Sequence, residues 1–106
     1  GNRVDCNQLT NLVNKESACL VDVRPKSEFE TGAIAGSVNI PFEELDRRND
    51  ELLKEKENPL VLICKMGRNA ALAGEKMQKY GYNKTHVLQG GITSWQQEGL
   101  PLVKIK

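Results

Sequence analysis

The residue best placed to do chemistry in this sequence is Cys64. It follows directly on the apolar run Leu60-Val61-Leu62-Ile63 and opens the segment Cys64-Lys65-Met66-Gly67-Arg68-Asn69-Ala70, after which helical spacing begins. The thiolate of a cysteine is a nucleophile and its thiol is not. An ordinary thiol, with a pKa near 8.5, is only about 3% ionised at pH 7. Making it mostly thiolate takes about two pKa units, roughly 2.7 kcal/mol. A helix N-terminus alone contributes ~0.3–1 kcal/mol of that. The remainder must come from N–H groups aimed at the sulfur and from nearby cations. This loop offers both. The first N–H groups of a helix lack internal partners, and a loop curled over Cys64 would turn those of Lys65 to Ala70 into an anion-binding nest. Gly67 allows the positive φ such a turn needs. Lys65 and Arg68 add positive charge at the mouth, and Arg68 is expected to face the substrate. The candidate site is therefore Cys64 as nucleophile, with Lys65, Met66, Gly67, Arg68, Asn69 and Ala70 as the substrate-binding loop.

The alternative for any lone cysteine is a small hydrophobe in the core, and the loop context weighs against it here. The other two cysteines read differently. Cys19 lies in the apolar run Ala18 to Val23 and is expected in the core; Cys6 opens the first helix and reads as an incidental exposed cysteine rather than a resolving thiol. With no Cys-x-x-Cys and a single histidine, His86, neither a disulfide framework nor a zinc site is supported, and no metal or cofactor is expected. His86 need not act as a base, because a cradled thiolate requires none. Asp22 and Arg24 suggest a structural charge network below the loop, and Trp95 suggests packing.

The elements that must hold this loop alternate. Arg3-Val4 reads as a short edge strand, followed by a helix with Leu9, Leu12 and Val13 on one face. Ala18 to Val23 reads as a buried strand, Ser27 to Glu30 as a short helix ended by Gly32, and Val38 to Ile40 as a strand closed by Pro41. Phe42 to Glu57 reads as one charged helix with Leu45, Leu52 and Leu53 inward. Leu60 to Ile63 is the clearest strand. Ala70 to Tyr80 reads as a helix presenting Leu72, Ala73, Met77 and Tyr80 and capped by Gly81. His86 to Leu88 is a strand, Gly90-Gly91 a turn, and Ile92 to Glu98 a short helix capped by Gly99. This order predicts an α/β fold: a largely parallel central sheet of about five strands flanked by helices on both faces. Ligands of such sheets bind at the carboxyl ends of the strands, where Cys64 stands.

Composition sets the outer bounds. A chain of 106 residues fits a single domain over 1–106, and 27% charged with 39% hydrophobic residues reads as soluble and globular. A net charge of +1 without single-sign runs gives no reason to expect nucleic acid or a membrane surface as partner. No apolar stretch approaches the ~20 residues of a membrane span. Free thiols make a cytoplasmic location the default, and a monomer is the simplest expectation.

Several motifs together resemble the rhodanese homology domain. Cys64 to Asn69 match its six-residue active-site loop, Cys-x-x-Gly-x-x, and Ala70 supplies the small residue that follows. Leu20-Val21-Asp22-Val23-Arg24 is similar to its Asp-Val-Arg strand. Glu28-Phe29 and Gly32-Ala33-Ile34-Ala35-Gly36-Ser37-Val38-Asn39-Ile40-Pro41 resemble its Glu-Phe…Gly-His-Ile-x-Gly-Ala-x-Asn-Ile-Pro stretch, with Ala33 in place of the histidine. Gly90-Gly91-Ile92, Trp95 and Gly99-Leu100-Pro101 match its closing pattern. The resemblance implies sulfur transfer through a Cys64 persulfide, with a small sulfur donor such as thiosulfate and an acceptor that is cyanide, a thiol or another protein. It also implies that an upstream membrane helix, as in some single-domain relatives, is compatible with a chain that opens on Gly1-Asn2. Two other functions remain open at this stage. Cysteine phosphatases of related fold use Cys-x₅-Arg, but the sixth residue after Cys64 is Ala70, and Arg68 comes two positions early. A non-catalytic docking module is the other, against which stands the retained cysteine. A nucleotide-binding P-loop is not supported, since Gly67 is followed by Arg-Asn.

Overall fold

The computed structural model describes residues 2–105. Five strands, β1 (Asn2–Val4), β2 (Cys19–Asp22), β3 (Val38–Asn39), β4 (Leu60–Ile63) and β5 (Thr85–Leu88), form one sheet in the order β1-β5-β4-β2-β3. Every neighbouring pair is parallel. Such a sheet must be covered on both faces. Helices α1 (Cys6–Glu16) and α5 (Gly91–Gln97) cover one face, and α3 (Leu45–Arg48) and α4 (Arg68–Lys79) the other. A short helix α2 (Lys26–Thr31) bridges β2 to β3.

The continuous apolar run of β4 explains its central place. Its side chains alternate between faces, so Leu60 and Leu62 enter the core beneath α4 while Val61 and Ile63 enter the core beneath α1 and α5. All four are buried, and the chain leaves the sheet at Cys64 on the α4 side. Helix α4 starts at Arg68, two residues before the expected start at Ala70, because Gly67 at φ +104° turns the chain immediately after the strand. With that phase, Ala70, Ala73, Gly74 and Met77 face the sheet; Leu72 is exposed and Tyr80 only partly buried, contrary to the expected face. The same holds for α1, where Cys6 and Leu9 are buried and Val13 is exposed. Its start is fixed by a reciprocal cap between Asp5 and Gln8, two hydrogen bonds of 2.8 Å each.

The expected single helix over 42–57 does not form. The chain makes a 3₁₀ turn at Phe42–Glu44, the one-turn α3, and a second 3₁₀ stretch at Asn49–Glu55 with Leu52 at φ −107°, ψ 15°. Two groups break it. The Asn49 amide donates to the carbonyls of Leu45 and Asp46, and the Tyr82 hydroxyl donates to the Asn49 carbonyl at 2.7 Å. Leu45 and Leu52 still reach the core, whereas Leu53 faces solvent. Among the described residues, no helix is long and apolar enough to cross a membrane.

At the carboxyl end of β2, Asp22 and Arg24 form the charge pair that the sequence suggested, and both are buried. Arg24 Nη2 lies 2.8 Å from Asp22 Oδ2, Arg24 Nε reaches both carboxylate oxygens, and the Arg24 N–H donates to Oδ1. Arg24 Nη2 also donates to the Gly32 carbonyl at 2.8 Å, tying the end of α2 to the sheet. The Asn39 amide holds the other side, donating to the carbonyls of Asp22 and Arg24 at 2.9 Å. Removing one member of a buried pair strands the other charge. Arg24→Met is therefore expected to lower unfolding free energy by about 3 kcal/mol, read by urea denaturation; a loss under about 1 kcal/mol would contradict this role.

Candidate active site

The sulfur of Cys64 sits where the sheet ends and α4 begins. Sγ accepts the N–H of Gly67 at 2.9 Å and that of Ala70 at 3.3 Å. Gly67 is the N-cap of α4 and Ala70 its third residue. Gly67 has no side chain to cap the helix, so the Cys64 sulfur does what a serine or aspartate oxygen does at other N-caps. The nest expected from Lys65 to Ala70 is thus narrower at Sγ: among the described residues, Gly67 and Ala70 donate to it and Lys65, Met66, Arg68 and Asn69 do not.

The loop is held from behind by α5. Its Ile92 N–H donates to the Cys64 carbonyl at 2.9 Å, and its Thr93 N–H to the Lys65 carbonyl at 3.0 Å. Those two bonds fix the first two peptides of the loop. The contact needs Gly91. A Cβ there would overlap the Cys64 carbonyl oxygen and lie 2.7 Å from the Lys65 carbonyl carbon and oxygen, and its φ is +59°. Gly90-Gly91, which the sequence suggests only as a turn, is therefore part of the site. The signal was present in the pair itself, since one glycine suffices for most turns.

In front of the sulfur lies an open cavity of about 380 Å³, lined by Val23, Arg24, Pro25, Glu28, Cys64, Lys65, Met66, Arg68 and Asn69. Cys64 is 5% exposed and forms the floor, while Met66 on the rim is 68% exposed. Of the loop residues singled out in the sequence, Lys65, Met66, Arg68 and Asn69 line the cavity, and Gly67 and Ala70 hold the sulfur from beneath. The side chains of Lys65 and Arg68 are exposed and form no ion pair among the described residues. Glu28 joins them on the wall, a residue the sequence placed in a motif but not in the site.

The other two thiols are differently placed. Cys6 is buried, not exposed as expected, because the first turn of α1 packs on α5; burial, then the nearby Glu98, pushes its thiol up. Cys19 is half-buried and borders a larger cavity of about 670 Å³ near the start of β2. Burial and then the charge of Glu55 push the Cys19 thiol up to about 11, against a smaller opposing effect of Lys54. At neutral pH it is protonated. His86 pairs in register with Val61, three residues before Cys64, which sets it one strand across and roughly 10 Å back along the strand direction from Cys64 at ~3.3 Å per residue. Trp95 is packed, its Nε1–H donating to the Pro101 carbonyl at 2.9 Å. Ala33, standing where the histidine of the resembled motif would be, is buried and exchanges backbone hydrogen bonds with Val103.

Comparison with known proteins agrees with this geometry. The chain belongs to the rhodanese-like domain family, whose model matches residues 5–98. It is 36% identical over 100 residues to an uncharacterised Escherichia coli K12 protein, YibN, covering 93% of this chain and 70% of that one. It is 30% identical over 103 residues to a sulfurtransferase of Allochromatium vinosum, covering 96% and 94%. Among solved structures, a rhodanese-related protein of Thermoplasma volcanium superposes with a TM-score of 0.86 at 31% identity, over 97% of this chain and 98% of that one.

The clamp behind the loop can be tested with two glycines of similar φ. Gly99, at φ +75°, has nothing within 4 Å of an added Cβ, whereas Gly91 faces backbone. Gly99→Ala is expected to cost about 1–2 kcal/mol from φ alone. Gly91→Ala should cost about 2 kcal/mol more, from overlap with atoms that cannot move aside. Equal losses in thermal denaturation would show that α5 does not press on the loop.

Proposed function

We propose that the protein is a sulfurtransferase that carries sulfane sulfur as a persulfide on Cys64. The observation that carries this reading is the Cys64 sulfur accepting two N–H groups, from Gly67 and Ala70, on the floor of a cavity rimmed by Lys65 and Arg68. A sulfur anion is what two such donors stabilise.

The reaction proceeds in two displacements. With thiosulfate as donor, the Cys64 thiolate attacks the outer sulfur. A new S–S bond forms, the bond from that sulfur to the sulfonate sulfur breaks, and sulfite leaves with the electron pair. The negative charge then resides on the outer sulfur of the persulfide. Lys65 and Arg68 draw an anionic donor toward the cavity and sit beside the departing sulfite. In the second displacement the acceptor attacks the outer sulfur and the Cys64 thiolate leaves. Cyanide becomes thiocyanate; a thiol, having lost its proton to solvent, becomes a persulfide. No base is needed at Cys64 in either step, and no cofactor enters. An acceptor thiol carried by another protein would meet exposed Met66 first, an apolar contact beside the entrance.

The geometry favours sulfur over phosphate as the cargo. A cysteine phosphatase places an arginine at the sixth position after the nucleophile to bind a tetrahedral group. Here that position is Ala70, whose N–H is already spent on Sγ and whose side chain is in the core.

Intact-mass measurement before and after thiosulfate tests the proposal, with Cys64→Ser alongside. A gain of one sulfur atom on the wild type only, reversed by cyanide, is expected. A folded wild type that gains no sulfur from thiosulfate or from an organic persulfide would overturn the reading, as would an equal gain on Cys64→Ser.

A further inference from the structure

The wall of the Cys64 cavity carries a charge that the proposed reaction does not use. Glu28, in the first turn of α2, lines the cavity together with Cys64, Lys65 and Arg68. It is exposed, and its carboxylate forms neither an ion pair nor a side-chain hydrogen bond among the described residues. Its place is fixed by its backbone, whose N–H donates to the Pro25 carbonyl at 3.0 Å. Pro25 follows Arg24, and Arg24 is locked to Asp22 and to the end of α2. Glu30, on this helix, lies 3.9 Å from Lys26, and Glu44, on the turn Phe42–Glu44, pairs with Arg47 and Arg48; Glu43 on that turn forms no ion pair among the described residues but does not line the cavity. Arg24 is neutralised by Asp22. The free charges around the sulfur are thus Lys65 and Arg68 against Glu28, one net positive charge where the loop alone would give two.

A wall made only to attract thiosulfate, a dianion, would not carry a free carboxylate. Resting on the sulfur-transfer reading above, we infer that Glu28 is a specificity-determining residue. It penalises sulfur donors in proportion to their negative charge, and so favours donors with one negative charge, such as an organic persulfide, over thiosulfate. Transfer from a persulfide balances in the same way as from thiosulfate: the Cys64 thiolate attacks the terminal sulfur, the donor's S–S bond breaks, and the donor leaves as its thiolate. The cavity, about 380 Å³, is also large enough for an organic group beside the reacting sulfur.

The test uses two donors with the same transferable sulfur and different charge: thiosulfate, a dianion, and methanethiosulfonate, a monoanion whose outer sulfur transfers as methanesulfinate leaves. Coulomb energy scales with ligand charge, so the gain of Glu28→Gln for the dianion should be the square of its gain for the monoanion. An increase in kcat/KM on the order of threefold for methanethiosulfonate and ninefold for thiosulfate is expected at low ionic strength. Both gains should shrink toward unity in 1 M salt, where the screening length is about 3 Å. Glu30→Gln, on the same helix but off the cavity, should leave both donors unchanged. Equal factors for the two donors, or gains that persist in 1 M salt, would show that Glu28 acts through the fold and overturn the inference. No change for either donor would overturn it as well. The reading of the protein as a sulfurtransferase fails separately, when the wild type takes sulfur from neither donor.

Discussion

Two backbone hydrogen bonds, from Ile92 and Thr93 at the start of α5 to the carbonyls of Cys64 and Lys65, decide how the rest of this molecule can work. Engaging the first two carbonyls of the loop from behind fixes where the loop leaves β4, and the N–H groups of Gly67 and Ala70, further along it, reach the sulfur. Gly67, at φ +104°, completes the turn and starts α4. The sulfur then caps a helix of twelve residues and, though buried, lies at the floor of a cavity. A side chain at position 91 would overlap the loop where the two backbones touch.

The sheet supplies the rigidity this requires. β4 is buried on both faces, so the strand that delivers Cys64 cannot shift register without moving two cores at once. β5 lies beside it and delivers Gly90-Gly91 from its own carboxyl end. β2, on the other side, delivers the Asp22–Arg24 pair and the start of α2, which forms the opposite wall of the cavity. Three adjacent strand ends thus contribute floor, back and wall, which is where a parallel sheet places its ligands. The tail is drawn in by Ala33 pairing with Val103 and by Trp95 reaching the Pro101 carbonyl.

Most of this was legible in the residues. The apolar run 60–63, the cysteine, the glycine three residues later and a helical pattern beyond them specify a strand, a turn and a helix. Asp22 and Arg24, two residues apart at a strand end, pointed correctly to a structural charge pair. What was not legible depends on partners distant in sequence. Nothing local to 42–57 reveals that the Tyr82 hydroxyl takes the Asn49 carbonyl out of a helix. The burial of Cys6 depends on where α5 packs, and the phase of α4 on where Gly67 starts it. The role of Gly91 was hidden for the same reason, because its contact with residues 64 and 65 joins two loops separated by a helix and a strand.

The claim on which the account turns is that Gly67 and Ala70 hold the negative charge of a sulfur on Cys64. Amide proton and nitrogen shifts, recorded before and after loading with thiosulfate and alongside the mass of the same sample, test it residue by residue. The amide protons of Gly67 and Ala70 are expected to shift on loading, because the charge on the sulfur they bond changes, by more than any amide outside the loop, and to return when cyanide removes the sulfur. A sample that carries the added sulfur while those two amides stay in place would contradict it.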